Sequence, residues 1–237
     1  MTLLTMLVLA AVVAVAAFVQ GALGVGFALI MAPLLGVLLP GLMPGALLLL
    51  MLPLNAAVAW RERGSLDWGG IRRITVGRVA GAVLGLAVLL AVPAGQLQIL
   101  VGVATILTAL VTLAAPRFEP NRAAFLGAGV VTGVTETATG IGGPPLALVY
   151  QHRPAPVLRA TVAACFLIGE VLSLALLLGT GRLAWEQAWL AGLLVPPLAL
   201  GVVLSRRAGA RLAGPRFRML ILGFAIVSGV VCLIPTG

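Results

Sequence analysis

The chain has 237 residues, of which 62% are hydrophobic and 9% charged, and its net charge of +9 comes from arginine without a single lysine. No soluble domain hides that much apolar surface, so the composition indicates an all-α polytopic membrane protein and leaves no polar block for a separate soluble domain. A charge of this sign would suggest nucleic acid on a soluble protein, but here the arginines cluster in short loops, as the positive-inside rule requires, and no nucleic-acid partner is expected.

Apolar runs and helix breakers predict five segments in each half of the chain. The first half gives 3–22, 27–39, 41–60, 70–92 and 97–115, and the second gives 122–138, 144–151, 157–178, 185–205 and 216–235. The opening stretch to Phe18 contains a cleavage-like Ala14-Val15-Ala16. It lacks the charged leader of a signal peptide, so it is read as part of the fold. Gly24-Val25-Gly26 recurs as Gly140-Ile141-Gly142, with Gln20 opposite Glu136. Gly64-Ser65-Leu66-Asp67-Trp68 recurs as Gly181-Arg182-Leu183-Ala184-Trp185, and Leu84-Gly85 as Leu200-Gly201. Their common order and an offset staying near 116–117 read as an internal duplication, with one repeat over 1–116 and another over 117–237.

The charges orient the repeats. The loop at 61–73 carries Arg61, Arg63, Arg72 and Arg73, whereas its counterpart at 179–186 carries Arg182. The loop at 93–96 is uncharged, whereas its counterpart at 205–218 carries Arg206, Arg207, Arg211, Arg216 and Arg218. Because the basic loop alternates, the repeats are expected to be inverted, with 61–73 and 205–218 both cytoplasmic. Arg117, Arg122, Arg153 and Arg159 then place 116–122 and 152–159 on the same side. Residues 122–151 leave and return on that side, and 30 residues are too few for two crossings of about 20 each. They are expected to form a re-entrant helical hairpin, and 3–39 a longer one from the opposite side. Each repeat is thus a broken hairpin plus three transmembrane helices (41–60, 70–92, 97–115 and 157–178, 185–205, 216–235), with both termini outside. Trp60, Trp68, Trp185 and Trp189 fall near segment ends, as interfacial anchors do.

The hairpin tips are the candidate site. Irregular backbone inside a bilayer is tolerated only where protein or an aqueous cavity surrounds it. At each tip one short helix ends and another begins, near Phe27 and near Pro144. Free N–H groups and the positive end of the dipole there favour an anion, and glycine allows close approach of a ligand to the backbone. Gly24, Gly26, Gly140, Gly142 and Gly143 are therefore candidates for backbone contact, and Gln20, Thr137 and Thr139 for polar contact. The competing explanation is that these glycines only let helices pack closely.

Glu136 and Glu170 lie within apolar sequence, where ionisable groups are functional candidates, so both are proton-coupling candidates. A carboxylate beside an anion repels it unless protonated, so Glu136 would admit the anion on taking up a proton. Its structural alternative is to cap N–H groups or pair with Arg78, which lies inside its segment and could instead snorkel to the surface or line the anion path. Asn55 either joins helices or bonds to the site. Cys165 and Cys232 read as small buried hydrophobes, and His152 as an interfacial residue too isolated for a metal site. No catalytic constellation, cofactor motif or metal cluster is visible, so an enzyme is not expected.

At the duplicated glycine motif the sequence resembles the TauE/SafE sulfite exporter family, the toluene-sulfonate uptake permease group. Thr139-Gly140-Ile141-Gly142-Gly143-Pro144-Pro145-Leu146 closely matches the family's Gly-x-Gly-Gly followed by proline. The first copy, Gly21-Ala22-Leu23-Gly24-Val25-Gly26-Phe27 with Pro33-Leu34-Leu35 after it, departs by having Phe27 where glycine is usual. Length, segment number and duplication agree over essentially the whole chain. The resemblance implies a multi-pass permease of the bacterial inner membrane for a small sulfur-containing or organic anion, within reach of sulfite, sulfonates, thiosulfate and sulfoacetate-like compounds, and makes proton coupling plausible. A secondary transporter alternating access between the tips is the leading reading. An anion channel and a non-transporting scaffold are its alternatives, and assembly into a homo-oligomer is left open.

Overall fold

The computed structural model describes residues 3–93, 96–114, 119–212 and 215–234, with backbone alone for 208–212 and 215–218. Arg117, expected on the cytoplasmic side, lies outside the described residues, as do the side chains of Arg211, Arg216 and Arg218. The described residues form α1 (Leu3–Leu23), α2 (Phe27–Leu38), α3 (Gly45–Arg61), α4 (Trp68–Ala91), α5 (Leu97–Ala114), α6 (Arg122–Thr139), α7 (Gly143–Val149), α8 (Ala155–Gly179), α9 (Trp185–Leu212) and α10 (Pro215–Cys232). Every expected segment is a helix. The largest differences are at α3, whose expected first turn is a separate 3-10 turn over Pro40–Leu42, and at α9, which runs further than its apolar stretch.

Local chemistry sets the ends. Asp67 caps α4 by accepting from the Gly70 N–H at 3.0 Å, and Asn121 caps α6 by accepting from the Ala124 N–H at 2.9 Å. A short acceptor side chain at that position takes up one of the N–H groups that the first turn leaves without a partner. Pro144 and Pro145 open α7 and Pro156 opens α8, where a missing N–H costs nothing.

Among the described residues five helices, α1, α4, α5, α8 and α9, are long and apolar enough to cross a bilayer, while α3 and the described apolar part of α10, both expected as spans, are shorter. The expectation counted α1 as a hairpin arm, and it is 21 residues long, about 32 Å at the helical rise. Its return arm α2 has 12 residues, while α6 and α7 have 18 and 7. Both hairpins thus pair a long outgoing helix with a short return. Exposed Val76, Val79, Val83, Leu107, Leu200, Leu220 and Val227 give the bundle an apolar exterior, which suits lipid and not water.

The helices pair between halves more than within them. The most extensive contact is α4 on α6, and next is its counterpart, α1 on α9. Helix α3 packs on α8 and α5 on α10, while α3 on α9 is matched by α8 on α4. Glycine explains the tightest of these seams. A Cβ on Gly77, Gly81 or Gly85 of α4 would run into the backbone of Leu126, Val130 or Val134 of α6, and one on Gly129 or Gly133 would run into Ile74 or Arg78. The residue numbers rise together, so α4 and α6 run parallel with their backbones in contact, as small residues permit between membrane helices. In the α1–α9 seam Gly201 meets the Ala14 backbone and the Ala17 side chain, and Gly21 makes room for the Ser205 side chain.

Candidate functional site

The two helix breaks have the same outgoing cap. The Gly24 N–H donates to the Gln20 carbonyl and the Gly140 N–H to the Glu136 carbonyl, each at 2.7 Å. Both glycines are left-handed, with φ of 85° and 79°. Glycine pays no Cβ penalty there and ends the helix. After two more residues each chain turns back into its return helix. The breaks meet: a Cβ on Gly143 would stand 3.5 Å from Val25 Cβ. Residues 136–144 are buried throughout, and so are Gly24, Gly26 and Phe27.

At the first break the anion-binding N–H groups foreseen for the return helix are partly spent. The Phe27 N–H donates to Gln20 Oε1 at 3.0 Å. Gln20 Nε2 donates to Asn55 Oδ1 at 2.8 Å, and Asn55 Nδ2 to Glu170 Oε1 at 2.6 Å. These four residues, from α1, α2, α3 and α8, form one buried hydrogen-bonded chain. Glu170 Oε2 ends it without a hydrogen-bond partner.

At the second break the equivalent position holds Glu136, which forms an ion pair with Arg78 of α4. Arg78 is 1% exposed, so it does not snorkel; of the roles open to it, it takes the neutralising one. Gly169 of α8 makes the space, because a Cβ there would overlap the guanidinium. Phe166 lies one turn earlier with its ring centroid 5.7 Å from the Arg78 Cζ, close enough for a cation–π contact. Arg78 Nε and Nη1 have no hydrogen-bond partner. Pro144 and Pro145 remove two N–H groups from the first turn of α7, so this break offers few backbone donors.

The expected hydroxyl donors are engaged within the protein. Thr139 Oγ1 donates to the Thr135 carbonyl at 2.7 Å and accepts from the Ile141 N–H at 3.3 Å. Thr137 and Ser173 hydroxyls lie 2.7 Å apart and tie α6 to α8. Thr132, not foreseen, donates to the Gly142 carbonyl at 3.2 Å and holds the second break against its outgoing helix. Gly142 itself borders Glu136 Oε2, leaving no space for a Cβ.

Where α1 ends, a pocket of about 280 Å³ is lined by Gly21, Ala22, Arg61, Glu62, Arg159, Ser205 and Arg206. Arg61 Nη2 donates to the Gly21 carbonyl at 2.7 Å, and Arg159 Nη1 to the Ala22 carbonyl at 3.5 Å. Cations at the carbonyl end of a helix are favourably placed against its dipole. Glu62 ties the two arginines together, at 3.1 Å from Arg61 and 2.9 Å from Arg159. Asp67 is a second tie nearby: its N–H donates to Thr161 Oγ1 at 3.0 Å and its carboxylate accepts from the Tyr150 hydroxyl at 2.9 Å. Burial first, then Asp67, push the Tyr150 phenol above its ordinary range, which keeps it a donor. This bond fixes where the second hairpin exits.

Gln20, Gly24, Gly26, Glu136, Gly140, Gly142, Gly143, Glu170 and Arg78 therefore gather around the two breaks. Gly169, Asn55 and Thr132 join them as residues whose part depends on distant partners. Cys165 and Cys232 are buried thiols and His152 is exposed, in keeping with their plain readings. Among the described residues no group of His, Cys, Asp and Glu is placed to hold a metal.

Searches of curated proteins and of solved structures find no match to the chain. The family model described as sulfite exporter TauE/SafE matches residues 9–232, nearly the whole length. The helical fold, the spanning helices and this match make the protein a multi-pass membrane protein of a transport family: the chain belongs to the TauE/SafE sulfite exporter family.

Proposed function

We propose that the chain is a secondary transporter of a small sulfur-containing or organic anion, such as sulfite or a sulfonate, in the bacterial inner membrane. The two halves are inverted repeats, and access to a site between the hairpin breaks alternates between the two sides. The observation that carries this reading is the buried meeting of the breaks beside Arg78, a guanidinium with Nε and Nη1 unspent. A planar fork of donors suits an oxyanion, and a charge-assisted bond to it is stronger than a neutral one. Glycines at both breaks let such a ligand reach the backbone. Glu136 would hold Arg78 while the site is empty and yield it to the anion. Arg61, Arg159 and Arg206 surround the pocket at the end of α1 against one acidic residue, Glu62, among the described residues that line it, so the pocket attracts anions from that side.

The test is a thermal-shift screen of the purified protein against sulfite, sulfate, thiosulfate, sulfonates and carboxylates, followed by flux in proteoliposomes. A ligand bound only to the folded state raises its stability by mass action. One of the sulfur-containing anions is expected to stabilise the protein and to be carried uphill in response to a gradient of a coupled ion. Flux that only runs downhill would make the protein a channel, and no stabilisation with no flux would leave a scaffold.

A further inference from the structure

Glu170 is a buried carboxyl group that the ion pair does not include. The charged groups facing it from the packed helices are Arg78 of α4 and Glu136 of α6, and these are matched to each other. Helix α3 faces it with neutral Asn55, and α1 with neutral Gln20 beyond it. On α8 itself Cys165 lies five positions earlier, and Arg159 stands about three turns away, held by Glu62 beside Arg63. Tyr150, where α7 ends, faces Asp67. Glu170 thus has one neutral amide donor on Oε1 and none on Oε2, at 0% exposure.

The chain leading from it has a fixed polarity. A backbone N–H can only donate, so the Gln20 oxygen faces Phe27 and its nitrogen faces Asn55. Asn55 must then accept with its oxygen and donate with its nitrogen, so Glu170 Oε1 accepts. Such chains polarise one another along their length. An ionised Glu170 pulls on Asn55, strengthens Gln20 as an acceptor and keeps the Phe27 N–H engaged. A protonated Glu170 loosens the chain and removes the negative charge nearest the first break.

Building on the proposed function, we infer that Glu170 is the proton-binding carboxylate of the transport cycle. Asn55 and Gln20 act as positioning residues that transmit its protonation to the Phe27 N–H, which takes the anion. Anion and proton then bind together, and by linkage each favours the other. As one proton enters with each anion, affinity falls about tenfold per pH unit once Glu170 ionises.

Two readouts test this on the full chain in detergent. The first needs no anion. Labelling with 15N-phenylalanine gives seven phenylalanine amides, and Phe27→Leu identifies the signal of interest. The Phe27 amide is expected to shift with pH in the wild type, and to stay flat in Glu170→Gln, whose oxygen still accepts from Asn55. It should also stay flat in Asn55→Leu, which cuts the chain while Glu170 remains. A Phe27 amide that titrates in Glu170→Gln as it does in the wild type overturns the inference, and so does one that is flat in the wild type. The second readout is stabilisation by methanesulfonate, which stays a monoanion over the working range. Glu170→Gln is expected to bind it with the wild-type low-pH affinity at every pH. Retention of the wild-type pH dependence by that variant also overturns the inference. If the wild type binds none of the screened anions and carries none, the transport reading falls, while the amide titration still decides the relay.

Discussion

The two helix breaks share a cap and differ in almost everything next to it. Gly24 and Gly140 take the same left-handed turn, yet two residues on Gly26 has a φ of 127° and Gly142 one of −124°. Gly26 is needed for its backbone conformation, which side-chain-bearing residues rarely adopt, and also for the space that Val19 fills. Gly142 is needed for space, because Glu136 occupies the place of its Cβ. The outgoing helices carry Gln20 and Glu136 at matching positions. The amide keeps the first break tied to its own N–H and to neutral partners. The carboxylate packs against Gly142 without a hydrogen bond to its own break and pairs with Arg78. The two breaks therefore share one geometry, and the residue four before the capping glycine, Gln20 in one and Glu136 in the other, makes one an amide-linked chain and the other an ion pair.

The largest expected effect comes from breaking the charged copy. Arg78→Met or Glu136→Gln leaves a buried charge without its partner and should cost about 3–5 kcal/mol of stability. The double variant, which removes both charges, should recover much of that loss in thermal unfolding. In the neutral copy Gln20→Leu leaves the Phe27 N–H and the Asn55 oxygen unmatched. It should cost about 1–3 kcal/mol, measured the same way, and no second substitution on a charged residue should rescue it.

Gly26→Ala and Gly142→Ala separate the two kinds of glycine. The first is expected to lose about 1–3 kcal/mol through backbone strain while leaving Arg78 paired. The second is expected to push Glu136 off Arg78 and so change the pH dependence of anion binding, and its cost should be smaller in the Arg78→Met/Glu136→Gln background, where the pair is already gone, whereas that of Gly26→Ala should be unchanged. The smallest effect is Tyr150→Phe, which removes the bond to Asp67 at the exit of the second hairpin. A loss of about 1 kcal/mol is expected, with faster amide exchange confined to α7 and the start of α4.

Much of this fold could be read in advance because the signals are local. The ten apolar segments and the two glycine breaks each lie within a few tens of residues. The recurring glycine motif marked both breaks, which meet at Val25 and Gly143. What the pattern could not provide was pairing across the chain. Asn55 meets Gln20 across 35 residues and Glu170 across 115. Gly169 reads as one more small residue on an apolar helix, and its role as a seat for Arg78 appears only once α4 lies on α8. The free N–H groups expected at the first break were wrong in part for the same reason: the acceptor for Phe27 comes from Gln20, seven residues back and across the turn. The two prolines that start the second return helix also remove two of its N–H donors.

The seam between α4 and α6 has a mechanical consequence. With backbones in contact at Gly77, Gly81, Gly85, Gly129 and Gly133, neither helix can slide or roll without collision. They form a single stiff beam built from both halves of the chain, and α1 with α9 is its looser twin. On the proposed alternating access, the stroke hinges where these mixed beams touch, along α3 and α8, and not along the line that divides the sequence in two.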